Sequence, residues 1–135
     1  MNLATTAGST GLAAITALAN SGTLVWYSGT QPATPETALS GNTVLCTFTL
    51  NSTAFGAPSI SGGFAQATGS LAASSVTPTS NGTATFARLY KSDGTTAIAD
   101  LTIGTSGTDI VIGNTSIATT INVTLNSFVL KIPVV

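Results

Sequence analysis

The sequence predicts an all-β fold, an antiparallel β-sandwich or jelly-roll-like fold of roughly seven or eight strands behind a short N-terminal helix. Short runs rich in Val, Ile, Leu, Thr and aromatic residues recur from Thr23 to the C-terminus. Gly, Asn, Asp and Pro separate these runs, as turn residues do between strands. The 135 residues suit one compact fold. We therefore expect an N-terminal arm and helix over residues 1–22 and a β-sandwich domain over residues 23–135.

The first residues predict an arm followed by a helix. Residues 1–9 are small and polar without periodicity, which is typical of a flexible arm. Ser9 or Thr10 is positioned to cap a helix over Gly11–Asn20, and Gly22 to end it in a left-handed conformation. The apolar residues on one side of that helix are Leu12, Ile15 and Ala19. An isolated helix this short is marginal, so it docks either on its own sheet or on a neighbouring subunit.

The next segment contains two clear strands. Thr23–Tyr27 is a short β-rich run, followed by a proline-containing loop over residues 28–42. Thr43–Leu50 alternates so that Val44, Cys46, Phe48 and Leu50 share one face, which predicts a buried thiol. Asn51–Thr79 is rich in Gly, Ala and Ser and predicts one or two weak strands and long loops that contact a partner or move.

A hairpin follows in the C-terminal half. Gly82–Lys91 and Thr95–Ile103 flank Asp93-Gly94, a pair that supplies the positive φ angles of a tight turn. Asp109–Ile112 predicts a further short strand.

The last predicted strand, Thr119–Ile132, changes its alternation phase. Ile121, Val123 and Leu125 occupy one phase, whereas Phe128 and the apolar residues after it occupy the other. This change predicts a bulge or bend near Asn126-Ser127, where the chain passes from one sheet to another.

Charge is sparse in this chain. Hydrophobic residues make up 43% of it and charged residues 5%, against about 25% charged in an ordinary domain. The charged residues are Arg88, Lys91, Lys131, Glu36, Asp93, Asp100 and Asp109. Without a basic patch we expect no direct contact with nucleic acid or with an anionic membrane. No apolar run approaches the roughly 18 residues of a membrane span.

The side chains that most often perform catalysis are missing. The chain has no histidine and a single cysteine, which removes the commonest general base and any cysteine-based metal cage. A serine nucleophile would need a nearby base, and no S-x-x-K pattern occurs. The four acidic residues lie at or near predicted turns without calcium-loop spacing. We expect no enzymatic activity, no cofactor and no metal. The first basic residue is Arg88, so no secretory signal is expected and the chain is made in the host cytoplasm.

A neutral surface costs little to desolvate, which suits permanent contact with other protein. Seven charges over the roughly 6,500 Å² expected of this mass leave roughly 900 Å² for each. Trp26 and Tyr27 are adjacent in a strand and face opposite sides. One is expected in the core and the other exposed, as an interface anchor or a sugar-stacking platform. The candidate interface residues are Leu12, Ile15, Leu18, Trp26, Tyr27, Phe55 and Phe64.

Several motifs resemble a group of small virion proteins of tailed bacteriophages. They are GTLVWYSGTQPATPETAL at residues 22–39, then LCTFTL and AFG, and later GTATFARLYKSDGTTAIADLTIGTSGTDI. The resemblance covers most of residues 10–112, and residues 57–80 match least well. It implies a structural part of a phage particle, and most resembles a capsid decoration (cement) protein on the capsid exterior.

Such proteins commonly sit as trimers over junctions of the major capsid protein. The resemblance therefore implies two partners, the major capsid protein and the chain itself as a homotrimer. The N-terminal arm and helix are the expected element that reaches a neighbour. Two alternatives stay open at this point: a neck, tail or baseplate protein, and a carbohydrate-binding host-attachment module resting on Trp26 or Tyr27.

Overall fold

The structure is a computed structural model and describes residues 1–134. It is mostly β with one short N-terminal helix, which confirms the predicted class at that level. The elements are α1 (Thr5–Ala17), β1 (Thr23–Tyr27), β2 (Val44–Phe55), β3 (Ser59–Ser61), β4 (Phe64–Leu71), β5 (Ser75–Val76), β6 (Gly82–Thr83), β7 (Phe86–Tyr90), β8 (Ala97–Gly104), β9 (Ile110–Val111), β10 (Ser116–Ile117), β11 (Val123–Thr124) and β12 (Val129–Pro133).

Eight of the strands form one mixed sheet. Its order is β12-β4-β2-β1-β7-β8-β9, with β3 beside β4, and two ribbons, β6–β10 and β5–β11, lie apart from it. The expectation of a wholly antiparallel arrangement is wrong at β8–β9, which pair in parallel. The chain turns back over residues 105–109 to lie beside the end of β8. The Asp109 carboxylate holds this return, because it accepts hydrogen bonds from the backbone N–H and hydroxyl of Thr102 at 3.0 and 3.2 Å.

The helix begins at Thr5 rather than Gly11, so only residues 1–4 precede it. Ala4 caps it without a side-chain hydrogen bond, and its stability therefore depends on packing. Gly8, Leu12 and Thr16 form its buried face, mainly against β4. A Cβ at Gly8 would lie 2.1 Å from Val134 Cγ1, so glycine permits this close approach. Of the two alternatives, the helix docks on its own sheet.

The turn after the helix uses a different residue from the one expected. Ser21 adopts the left-handed conformation, with φ of 56°, and its N–H donates to the Asn51 carbonyl at 2.9 Å. Gly22 is required for another reason. A Cβ there would lie 2.1 Å from the Tyr90 carbonyl oxygen and 2.8 Å from that of Ala19.

Residues 51–79 are more regular than expected, because β4 is an eight-residue interior strand of the sheet. Its inward residues are small: Ala65 lies beneath the helix, and a Cβ at Gly69 would lie 2.5 Å from Phe128 Cε1. Small side chains here admit large neighbours, so the strand carries little hydrophobic signal of its own.

A bulge in β2 changes the face on which Val44 lies. Trp26 pairs with Cys46 and Tyr27 with Val44, so the register skips Leu45. Leu45 and Cys46 are both fully buried, whereas Val44 is 40% exposed. The predicted burial of Cys46 is confirmed, and the prediction that Val44 shares its face is wrong.

The C-terminal half follows two of the predictions. Strands β7 and β8 form the expected antiparallel hairpin, with Gly94 at φ 72°. The final segment breaks between Thr124 and Val129, and its halves join different sheets, because β11 pairs with β5 and β12 with β4. The predicted change of sheet near Asn126-Ser127 is therefore confirmed.

Candidate functional site

The seven candidate interface residues divide into two groups. Four are packed inside the chain itself and offer little surface: Leu12, Trp26, Tyr27 and Phe55. Three remain on the surface with exposed fractions that leave room for a partner: Ile15 at 38%, Leu18 at 48% and Phe64 at 38%.

Trp26 and Tyr27 face opposite sides of the sheet, as expected, yet both are buried. The Trp26 ring lies in the main core, 5.3 Å from the Phe48 ring. Tyr27 stacks on Phe86 in a second cluster, which Leu39 of the proline-containing loop helps to cover. The expectation that one of the two rings is exposed is wrong, because the loop over residues 28–42 covers that side. Neither ring is therefore available as a sugar-stacking platform.

A buried ion pair fastens this loop to the sheet. Arg88 Nε and Nη2 donate to the two carboxylate oxygens of Asp100, at 2.7 and 3.0 Å. The same guanidinium donates to the carbonyls of Thr37 and Thr34, at 3.1 and 3.4 Å. Each charged side chain is only 4% exposed. The hydrogen bond with Asp100 raises the pKa of Arg88, so the guanidinium stays charged and fastens the loop to the sheet through these contacts.

A pair of phenols lies in the same cluster. The hydroxyl oxygens of Tyr27 and Tyr90 are 2.9 Å apart. Burial, followed by the hydrogen bond with Tyr90, raises the pKa of Tyr27 well above its ordinary value. Ionisation of Tyr27 is therefore resisted in the folded state.

We expect the free energy of unfolding to fall as the pH rises above about 10, the ordinary pKa of tyrosine. The unfolded chain ionises Tyr27 there while the folded chain keeps it protonated. This stability is fully present below about pH 10 and is lost as the pH rises toward the folded pKa. Urea unfolding at several pH values tests this, with Tyr27→Phe expected to have a shallower alkaline slope. Equal slopes in wild type and variant would contradict the burial of this phenol.

The Cys46 thiol and the Asp93 carboxylate both have structural roles. Burial raises the pKa of the Cys46 thiol to about 12, so it stays protonated near neutral pH. Asp93 accepts hydrogen bonds from Thr96 and from the Thr95 N–H, which lower its pKa to about 2 and order the hairpin turn. Among residues 1–134, no three His, Cys, Asp or Glu side chains are placed to hold a metal ion. The expected lack of a metal and of enzymatic activity stays a prediction.

The two ends of the large sheet border a common groove, which we call the edge groove. Its volume is about 540 Å³, and β12 lines one side while β8 and β9 line the other. Its buried apolar residues are Leu101, Ile110, Phe128 and Leu130. Its more exposed residues include Val111, Val129, Lys131 and Asp109.

A second groove lies beside the helix. It has a volume of about 340 Å³ and separates the C-terminal half of α1 from the β2–β3 connection. Its apolar lining includes Ala13, Ala17, Phe55 and Pro58. Phe55 therefore contributes mainly to the base of this groove, since it is only 7% exposed.

The edge position of β12 and the Arg88–Asp100 pair both have signals in the sequence. Lysine and proline within a strand are typical of a sheet edge, and Lys131 and Pro133 both lie in β12. Arg88 and Asp100 stand six residues before and six after Gly94. A hairpin centred on that glycine places them opposite each other, as they are.

Comparison with protein-family models, with curated proteins and with solved structures finds no match for this chain. Within the described residues no helix has the length and apolar character that crossing a membrane requires. A functional assignment therefore depends on the surface and its chemistry.

Proposed function

We propose that the chain is a structural protein of a tailed-bacteriophage particle, a capsid decoration (cement) protein on the exterior of the head. It binds across neighbouring major capsid subunits and associates with itself as a homotrimer. The proposal is supported by the motif resemblance described above and, above all, by one observation about the surface. That surface is almost without charge.

The structure makes the surface more neutral than the composition indicates. The chain exposes 6850 Å² of surface and has seven charged residues. Two of the seven, Arg88 and Asp100, bury their charges against each other. The five that remain leave about 1,400 Å² for each solvent-facing charge, far sparser than the coating that keeps small monomers apart. Such a surface loses little hydration when other protein covers it, and its binding is largely insensitive to salt.

Exposed apolar side chains add to the case for contact with other protein. Ile15 and Leu18 are three residues apart at the C-terminal end of the helix, so they lie on one side of it. Phe64 is exposed elsewhere, with Lys131 Nζ 5.8 Å from the centre of its ring. We propose the Ile15–Leu18 pair as one point of attachment.

The β-sandwich or jelly-roll architecture is part of this proposal. Ile117 from β10 and Leu125, directly after β11, contribute to the same core as the large sheet. This supports a second layer packed over that sheet. A rigid two-layer body suits a protein that resists opening of a shell, because each bound copy must detach before its neighbours separate.

Co-sedimentation with phage heads stripped of the chain tests the function. Purified chain is expected to pellet with the heads in both 0.05 and 1 M NaCl. Salt screens interactions between charges, with a Debye length of about 30 Å at 0.01 M and about 3 Å at 1 M, and it has little effect on a contact without charges. Ile15→Lys combined with Leu18→Lys is expected to weaken binding at least about tenfold, an effect of at least about 1.4 kcal/mol.

Val44→Lys is the matched control, because Val44 is similarly exposed but lies on β2 away from the helix. Chain that stays in the supernatant with heads but pellets with isolated tails would favour the neck, tail or baseplate alternative. We do not propose carbohydrate binding, because the two rings on which it depended are buried.

A further inference from the structure

We propose that the edge groove receives an extended strand from the protein to which the chain attaches, which pairs with the free edges of β12 and of β8–β9. This inference rests on the proposed function, since it names the partner as a neighbouring major capsid subunit. It is a case of strand addition, in which main-chain hydrogen bonds supply affinity and side-chain pockets supply specificity.

Within residues 1–134, the two edges direct main-chain groups that pair with no neighbouring strand toward the groove. In β12, the Phe128 carbonyl accepts from Gly69 N–H and the Val134 N–H donates to the Gly63 carbonyl. The main-chain N–H and C=O groups of the even-numbered residues of β12 therefore point toward β4. Main-chain groups alternate in direction along a strand, so Val129 and Lys131 direct theirs away from β4. Both of these residues line the groove.

The opposite side of the groove, formed by β8 and β9, also has main-chain groups that point away from the neighbouring strands of the sheet. The Ile112 N–H donates to the Gly104 carbonyl, so Val111 between Ile110 and Ile112 directs its main chain away from β8. In β8 the Ile103 N–H donates to the Thr85 carbonyl, toward β7, so Asp100 directs its main chain to the other side. The side chain of Asp100 is only 4% exposed although the residue as a whole is partly exposed, so its accessible part is largely main chain.

The strand directions permit one inserted strand to pair with both sides. Five antiparallel pairings lead from β12 to β8, and β9 is parallel to β8. Strand β12 therefore runs opposite to β8 and β9. A single strand between them is antiparallel to one edge and parallel to the other, and both arrangements form regular hydrogen bonds.

The lining defines the chemistry of the occupant. Alternate side chains of an inserted strand would point at the buried residues Leu101, Ile110 and Leu130, which favours apolar residues there. The other side chains would face solvent near Lys131 and Asp109, whose opposite charges favour no net charge. The occupant is thus an uncharged segment of about five residues with alternating apolar and polar side chains, about 17 Å long.

A second copy of the chain does not supply this segment readily. The strand runs among residues 1–134 are already paired within the fold, so a donor strand would first have to leave its own sheet. Residues 1–4, which precede the helix, span at most about 14 Å. Pro133 has no N–H to donate to an added strand, which confines an inserted strand to the part of β12 near Val129 and Lys131.

Amide hydrogen exchange on the isolated protein tests the inference. The probe is a soluble peptide of four Thr-Val repeats with blocked ends, and its control is the same peptide with alternate amides N-methylated. In the free protein we expect the Val111 and Lys131 amides to exchange at least about tenfold faster than that of Leu130, which pairs with β4. The probe is expected to slow the two free amides at least about tenfold, and the methylated control is not.

Lys131→Pro removes one groove-facing N–H without removing a bond to β4, and Lys131→Thr is its matched control. Of the two variants, we expect only Lys131→Pro to weaken probe binding, by about tenfold. Both variants are expected to be as stable as wild type. Amides that are already protected in the free protein, or that the probe leaves unchanged, would overturn the inference.

The probe experiment and the co-sedimentation experiment together distinguish a failure of the groove proposal from a failure of the proposed function. Chain that pellets with phage heads but shows no probe effect overturns the groove and leaves the proposed function standing. Chain that binds the probe but never pellets with heads overturns the major capsid partner and the function, and leaves a strand-binding groove.

Discussion

Arg88→Leu is expected to lower the free energy of unfolding by about 3–5 kcal/mol, because it leaves the Asp100 carboxylate buried without its partner. The loss is large for three reasons visible in the structure. Both side chains are 4% exposed, their contact is bidentate, and the guanidinium also binds the Thr34 and Thr37 carbonyls of the covering loop. Urea unfolding followed by circular dichroism measures the change.

The double variant Arg88→Leu with Asp100→Leu is the matched control. It removes both charges, and we expect it to recover most of the lost stability, since a buried pair replaced by apolar residues is often neutral. The loop over residues 28–42 is expected to become sensitive to protease in both variants, because its two carbonyl contacts are gone. A single variant within about 1 kcal/mol of wild type would contradict the burial and pairing of Asp100.

Trp26→Ala is expected to cost about 3–5 kcal/mol, by removing the largest fully buried side chain of the main core. Its indole Nε1 has no hydrogen-bond partner within the described residues, so the ring contributes through packing alone. Trp26→Phe keeps most of the volume and removes the unpaired N–H, and it is therefore expected to cost markedly less.

Val44→Ala is the control for Trp26→Ala, because Val44 is exposed, and it should change stability by no more than about 0.5 kcal/mol. Thermal and urea unfolding of the three variants provide the comparison. A Trp26→Ala protein as stable as wild type would show that the ring lies outside the core and would reopen a binding role for it.

Local chemistry predicted much of the β structure. The strand Thr23–Tyr27, the hairpin around Gly94 and the change of sheet near Asn126-Ser127 follow from alternation and turn residues that act over a few positions. The parallel pairing of β9 is accompanied by hydrogen bonds between Asp109 and Thr102, a side-chain contact that alternation and turn residues do not predict.

The helix start and the length of β4 differ from the prediction for a related reason. Gly8 and Gly69 give no signal for the helix and strand in which they lie, since glycine is disfavoured in both, and Ala65 favours a helix rather than a strand. Their role appears only when a large partner is opposite, as Val134 is to Gly8 and Phe128 to Gly69. Packing between distant segments decided these elements.

Prediction of the candidate site was less successful for a physical reason. Large apolar side chains such as Trp26 and Phe55 are as suitable for a core as for an interface, and the sequence does not show which loop covers them. The edge groove depends on which strands end the sheet, a property of topology. The sparse charge could be read from composition, and the structure reduces it further by burying Arg88 with Asp100.

Electron cryo-microscopy of the intact particle tests most directly whether this neutral surface exists to be covered by a viral shell. We expect density for this fold outside the head, in many copies over the junctions between major capsid subunits, with the Ile15–Leu18 side of the helix in contact with the shell. Particles of full composition whose heads carry no such density, or that hold a few copies along the tail axis alone, would contradict this role.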